Sequence, residues 1–513
     1  MRQWHRRARG AWRSVWAGMV AAAFAAAPVT GTASVPSPDP AGRVIPAADL
    51  QSDLALLRRA FESLHPGLHR YRSPTEIDAA FAALDREFAR DRTLAEAYLG
   101  FARLTAYLQC GHTYPNFYNQ SPAVTAALLE ATRLPFEFRW LEGRMVVTRS
   151  FATTPALRPG AEVLAIDGRP AGEILAALLP YSRADGANDA KRISNLEVQG
   201  RGRYEAFDVY FPLRFPRPAA QPFELVVRRS PGAATEDVSV PGMAAAARPA
   251  TEGAPRGATN PWQYLEPEPG VGLLRMPTWA LYNSSWDWQG YLDGLFRDLA
   301  DRGIGDLVLD LRANEGGSDV GSAIVAHLVA EDVPAGRMER RTRYRSVPAD
   351  LRPFLETWDP GFYDWGAAAT ELGDDYFRLV REGETAEGQV IKPRAPRYAG
   401  RVWVLVGPVN SSATFEFAST IRRHGLGTLV GQQTGGNQRG ITGGAFFFLR
   451  LPRTGIEVDV PLIGQFPISS APLPDAGIEP DVPLRPAVED IASGRDAELE
   501  AVLARIRTAS TRQ

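Results

Sequence analysis

The first hydrophobic pattern along the chain is helical. In "DLALLRRAFESLHPGLHRY", Leu54, Leu57, Phe61 and Leu64 recur at three- and four-residue spacings, and Pro66-Gly67 ends the run. "EIDAAFAALDREFARD" and "LAEAYLGFARLTAYLQ" repeat the pattern, so residues 49–125 read as an N-terminal helical domain. From about residue 130 the period shortens to that of strands. "FEFRWLEGRMVVTRS" predicts a hairpin turning at Glu142-Gly143, and "PGAEVLAIDGRPAGEILAAL" a strand, an Asp-Gly turn and a helix. "PFELVVRRS" closes this second domain, 130–235, and the polar run 181–204 reads as an insertion within it. Residues 236–262, rich in Ala, Pro and Gly, read as a linker.

The third domain, 263–490, has another grammar. "IGDLVLDLR", "RVWVLVG" and "GTLVG" are short, fully apolar runs, and "SDVGSAIVAHLVAE" and "SATFEFASTIRRHG" are amphipathic. Strands alternating with helices predict an α/β core, a mostly parallel sheet covered on both faces. Residues 332–398, rich in Arg, Pro, Trp and Tyr, interrupt the alternation as an insertion, expected as a lid or cap. Residues 491–513 form a C-terminal helix and tail.

Composition narrows the function. A length of 513 residues implies two or three domains, and 45% hydrophobic with 23% charged residues is the balance of a soluble globular protein. A net charge of −2 argues against nucleic acid as a partner. The N-terminus places arginines before an apolar run from Val15 to Val29, with Gly31 and Ala33 at the −3 and −1 positions of a cleavage site. That is the layout of a secretory signal peptide, 1–33, followed by a Pro-rich linker, 34–48. The expectation is a periplasmic or secreted protein with no stable membrane insertion after cleavage. The single cysteine, Cys110, excludes an intrachain disulfide. Without an H-E-x-x-H motif or a Cys/His cluster, no metal or organic cofactor is expected.

Three segments carry candidate chemistry. "PVNSS" follows the carboxyl end of an apolar strand and opens a helix, so Ser411 or Ser412 would sit beside free backbone N–H groups and the positive end of the helix dipole. The same residues also suit an ordinary N-cap. Gly316-Gly317 in "DLRANEGGSDVG" marks a strand-to-helix turn whose amides can approach a ligand closely. His112 in "LQCGHTYPNF", flanked by small residues, has the most active-site-like setting of the six histidines.

Taken in order, these segments resemble peptidase family S41, the C-terminal-processing or tail-specific proteases and their tricorn-like, histidine-containing relatives. "DLRANEGG" is similar to the family's oxyanion segment, "NSSATFEF…VGQQTGG" to its nucleophile helix and following loop, and "GIEPDV" to its C-terminal signature. "ALRPGAEVLAIDGRP" is similar to its PDZ-like domain, and "LHPGLHRY" and "CGHTYPNF" to N-terminal segments of a bacterial subgroup. The resemblance implies a ClpP/crotonase-like catalytic core, Ser412 as nucleophile, and an oxyanion hole from the amide of Ala413 and one of Gly316 or Gly317. The family's lysine base is replaced here by Asn437 in "TGGN". The resemblance therefore assigns the base to His112, with Asp475 the nearest acidic partner and Glu479 behind it, although Pro474 holds the position where the acid is expected. The implied function is a serine endopeptidase acting on a peptide or protein substrate. The alternative is a non-catalytic peptide- or lipid-binding protein on the same fold.

Overall fold

The N-terminal helices begin where the sequence supplies caps. Ser73 and Glu76 form a reciprocal capping box at the start of helix Pro74–Glu87, and Thr93 and Glu96 another at Leu94–Tyr107. With Ala47–Leu64 they match the three predicted helices. The structure, a computed structural model, describes residues 40–248, 257–334, 338–380, 390–468 and 471–510. The expected signal peptide lies outside these residues. Among them, no helix is long and apolar enough to cross a membrane.

The predicted hairpin is present: strands Phe136–Leu141 and Arg144–Ser150 pair antiparallel across Glu142 and Gly143, whose φ angles are 52° and 80°. Both turn residues are left-handed, the conformation that matches strand twist in a two-residue hairpin. Glu162–Ile166, Phe223–Arg228 and Thr235–Val240 complete a small antiparallel sheet. Part of the expected linker docks onto it, with Met243 bridging Arg133 and Arg248 buried against Asp208.

Strands Val271–Arg275, Asp306–Asp310, Arg401–Val406, Thr428–Gly431 and Val482–Pro483 lie parallel in one sheet, with Gln263–Glu268 antiparallel at its edge. The fully apolar strands are explained by burial on both faces. Leu307, Leu309, Val404 and Val406 face helices Trp288–Asp301, Val320–Ala326 and Ala413–Arg423, whereas Val308, Leu405 and Val430 face the C-terminal helix Ala497–Ser510.

The insertion 332–398 is not a detached cap. Its strands Met338–Thr342, Leu355–Glu356, Ala369–Gly373 and Tyr376–Leu379 join the long hairpin Thr442–Arg450 and Glu457–Pro467 in a second, wholly antiparallel six-stranded sheet. One continuous apolar core runs from the N-terminal helices through the small sheet into this one, joining Phe61, Phe101, Phe138, Phe207, Phe447 and Val460.

Candidate active site

Ser412 sits where strand Arg401–Val406 has ended and helix Ala413–Arg423 begins, the end of a parallel sheet at which ligands gather. Its backbone is left-handed, φ 52° and ψ −128°, and its side chain makes no capping hydrogen bond. That departs from an ordinary N-cap, whose backbone is extended and whose oxygen is spent on the helix. A non-glycine residue held there stores about 1–3 kcal/mol of strain, so its surroundings must impose it. They do. Asn410, wholly buried, accepts from Gly407 N–H at 2.7 Å and donates to the carbonyls of Leu311 and Asn314. The Thr414 hydroxyl donates to Ser411 O at 2.8 Å, and Ser411 Oγ donates to Glu315 O at 3.3 Å. The two serines thus part company: Ser411 is a staple, and Ser412 keeps its hydroxyl free.

The glycine turn lies directly against this elbow. A Cβ on Gly316 would fall 2.8 Å from Ser411 O and 3.1 Å from both Ala413 N and Ser412 Cβ, so only glycine fits. Gly316 N–H donates to Asn314 Oδ1 at 2.9 Å, which leaves Gly317 N–H the unclaimed amide of the pair.

His112 is packed between strand Thr442–Arg450 and a cluster of charges. A Cβ on Gly443 would lie 3.4 Å from its Cε1, and its ring centroid is 5.9 Å from that of Phe446. Burial lowers its pKa below the ordinary 6.5, opposed first by the charge of Asp185; Arg183, Glu315 and Lys191 also act on it. Its Nδ1 is sealed from solvent without a partner. The loop carrying it is clamped by "HPGLHRY". His65, buried, with burial pushing its pKa down to about 3, has Nε2 2.8 Å from Thr113 Oγ1, and its Nδ1 accepts from Gly67 N–H at 3.1 Å. Cys110 is also buried and its thiol is pushed up to about 12, so it is no nucleophile.

The polar run 181–204 supplies residues that sequence reasoning missed. Asp185 Oδ1 accepts from Gly111 N–H at 2.9 Å, and Arg183 donates to Gly111 O, gripping the histidine loop from both sides. Asn188 donates to Thr434 O and Gly436 O, each at 2.9 Å. Lys191, with 3% of its side chain exposed, donates to Glu315 Oε1 at 2.8 Å and Val409 O at 3.0 Å. The lysine absent from the "TGGN" motif is thus met by one from elsewhere in the chain. Burial lowers the Lys191 pKa, opposed first by the charge of Glu315, and both hydrogen bonds made by its Nζ are donated. Glu315 is half exposed at its surface, and although burial raises its pKa, the Lys191 and Arg183 charges outweigh this and hold it well below the usual carboxylate range.

Asp475 is hydrogen-bonded to groups other than His112. Its Oδ1 accepts from Ala187 N–H at 3.0 Å and Asn437 Nδ2 at 2.7 Å, and its Oδ2 lies 3.4 Å from Arg439 Nη1. Oδ1 thus locks Asn437 and the 185–188 turn together, while Oδ2 is taken by Arg439. Glu479 is engaged by Gln433. Neither is hydrogen-bonded to the histidine, whereas Asp185, from the segment expected to be an insertion, is the carboxylate whose charge acts on it most strongly.

Comparisons with known proteins bear on the family and the fold. Residues 270–484 match the family model of peptidase family S41. The solved structure of mature CPAF complexed with lactacystin aligns with a TM-score of 0.61 at 16% identity, over 91% of this chain and 98% of that one. Mature CPAF alone gives 0.59 at 15% identity, over 89% and 96%. The photosystem II D1 C-terminal processing protease gives 0.38 at 18% identity, over 88% and 98%. No curated protein matches the chain. At these identities the two CPAF structures speak for a shared mixed α/β fold, and the match of residues 270–484 to the family model of peptidase family S41 supports a serine-type peptidase.

Proposed function

We propose that the protein is an exported serine endopeptidase that cuts peptide bonds by a Ser412–His112 mechanism through an acyl-enzyme. His112 Nε2 takes the Ser412 hydroxyl proton as Oγ attacks the scissile carbonyl carbon. The negative charge moves to the carbonyl oxygen, which Ala413 N–H and Gly317 N–H receive. The intermediate collapses as the C–N bond breaks, and His112 returns the proton to the leaving amine. Water then attacks the ester carbon, giving a proton to His112; the C–Oγ bond breaks, His112 passes the proton to Ser412 Oγ, and the carboxylic acid product leaves. Asp185 acts as a positioning residue by holding the His112 loop through Gly111 N–H and placing its charge near the imidazole, a role not given to Asp475. In the domain reading, helices 49–125 support the histidine loop, the small sheet 130–235 is a PDZ-like module and the parallel sheet a ClpP/crotonase-like core. Export rests on the signal-like segment 1–33, and N-terminal sequencing of protein from fractionated cells tests it.

The observation that carries the reading is the left-handed Ser412, held against a glycine turn with its hydroxyl unspent. A fluorophosphonate probe checks it. The adduct is expected on Ser412, absent in Ser412→Ala and slowed by at least about a hundredfold in His112→Ala. A folded protein that remains unlabelled would favour the binding-protein alternative.

A further inference from the structure

The outer face of strand Thr442–Arg450 holds a feature that catalysis does not use. Side chains alternate along the strand, with Ala445, Phe447 and Leu449 buried and Phe446 and Phe448 on the other side, half-buried. Trp358, 58% exposed, covers both from outside, its ring centroid 5.9 Å from Phe446 and 5.8 Å from Phe448. Its position is set from below by an edge-on contact with the buried Phe362 at 5.4 Å, and by the short strand before it, where Glu356 registers opposite Phe448. At its inner end the patch stops on the catalytic base, the Phe446 ring lying against His112.

A single exposed aromatic residue needs no explanation; a row of three that ends on the base does. At the rim Arg450 pairs with Glu356 at 3.0 Å and Glu457 at 3.3 Å, so its charge is spent on neighbouring carboxylates.

We infer that Trp358, Phe446 and Phe448 form the specificity subsite of this peptidase, taking a bulky apolar, preferentially aromatic, side chain of the substrate beside the scissile bond. The inference rests on the reading of Ser412 and His112 as catalytic. A peptide whose scissile carbonyl meets Ser412 with His112 alongside must run a neighbouring side chain past the ring of Phe446. Offset and edge-on ring contacts with Trp358 then reward an aromatic residue over a small one.

The test uses pentapeptides Ala-Ala-X-Ala-Ala with X as Phe, Leu, Ala or Asp, for cleavage by the wild type and for binding to the inert Ser412→Ala form. The Phe peptide is expected to exceed the Ala peptide by about tenfold in kcat/KM and in affinity. That preference should shrink to about twofold or less in Trp358→Ala and persist in Trp358→Phe, with the Ala peptide little affected. Equal losses for every X, or no dependence on X in the wild type, would overturn the subsite. Absent cleavage with retained, Trp358-dependent binding of the Phe peptide to Ser412→Ala would keep the subsite and remove the peptidase reading.

Discussion

At the scale of single residues, the sequence marks candidates for chemistry better than it marks what orients them. Ser412 and His112 stand out as candidates because a serine at a strand-to-helix turn and a histidine among small residues are unusual settings. Asp185 is not, because an aspartate in a polar run looks like any solvated residue, and only the fold turns it onto Gly111. The electrostatics of His112 make the influence of Asp185 testable. Burial lowers its pKa, so the imidazole remains neutral, and competent as a base, to a lower pH than a free histidine. The acid limb of kcat/KM is therefore expected below pH 6.5. Because the Asp185 charge raises that pKa, Asp185→Asn should move the limb still lower while reducing the plateau by at least about tenfold. A pH–rate profile of the two proteins decides it. An unmoved limb would reduce Asp185 to a support for the Gly111 loop.

At the scale of elements, strongly periodic segments are readable in the sequence and irregular ones are not. The three N-terminal helices, the Glu142-Gly143 hairpin and the parallel strands follow from spacing and turn chemistry. Residues 181–204 have no period, so their role is invisible until Asn188 meets the 434–436 turn and Lys191 reaches Val409. This segment is a brace between the histidine loop and the nucleophile turn. Lys191→Met should remove the counter-charge of Glu315 and the tether on Val409, costing on the order of 1–3 kcal/mol, below the fully buried case because Glu315 is half exposed. Adding Glu315→Gln should return part of that loss. Denaturant melts measure both, and probe labelling separates the roles. As a brace, Lys191 slows labelling of Ser412 only modestly when removed. If Lys191→Met instead abolished labelling while His112→Ala did not, lysine would be the base.

At the scale of the whole molecule, the predicted division into successive domains describes the order of the chain better than its packing. Asp53 on the first helix accepts from Arg453 N–H and Thr454 N–H across about four hundred residues of sequence, and Gln120 pairs with both backbone groups of Glu457. Asp459 completes this seam, accepting from Asn116 at 2.7 Å and Asn119 at 2.9 Å while its N–H donates to Tyr114 O at 3.1 Å. Periodicity cannot show such joints, since each is made by residues distant in sequence. Burial pushes Asp459 up to about 7, above its unfolded value of 3.8. Below about pH 4 both states hold the proton and the carboxyl costs nothing on this account. As pH rises toward 7 the unfolded chain has released the proton and the native state has not, so stability falls, by on the order of 4 kcal/mol in full, and levels off above the folded pKa. Asp459→Asn carries no titrating group there. The wild type should therefore gain stability relative to that variant as pH drops from 8 to 5, read from urea melts at each pH. Parallel stability curves for the two proteins would mean that Asp459 is ionised in the native seam, held by Asn116 and Asn119 as a carboxylate.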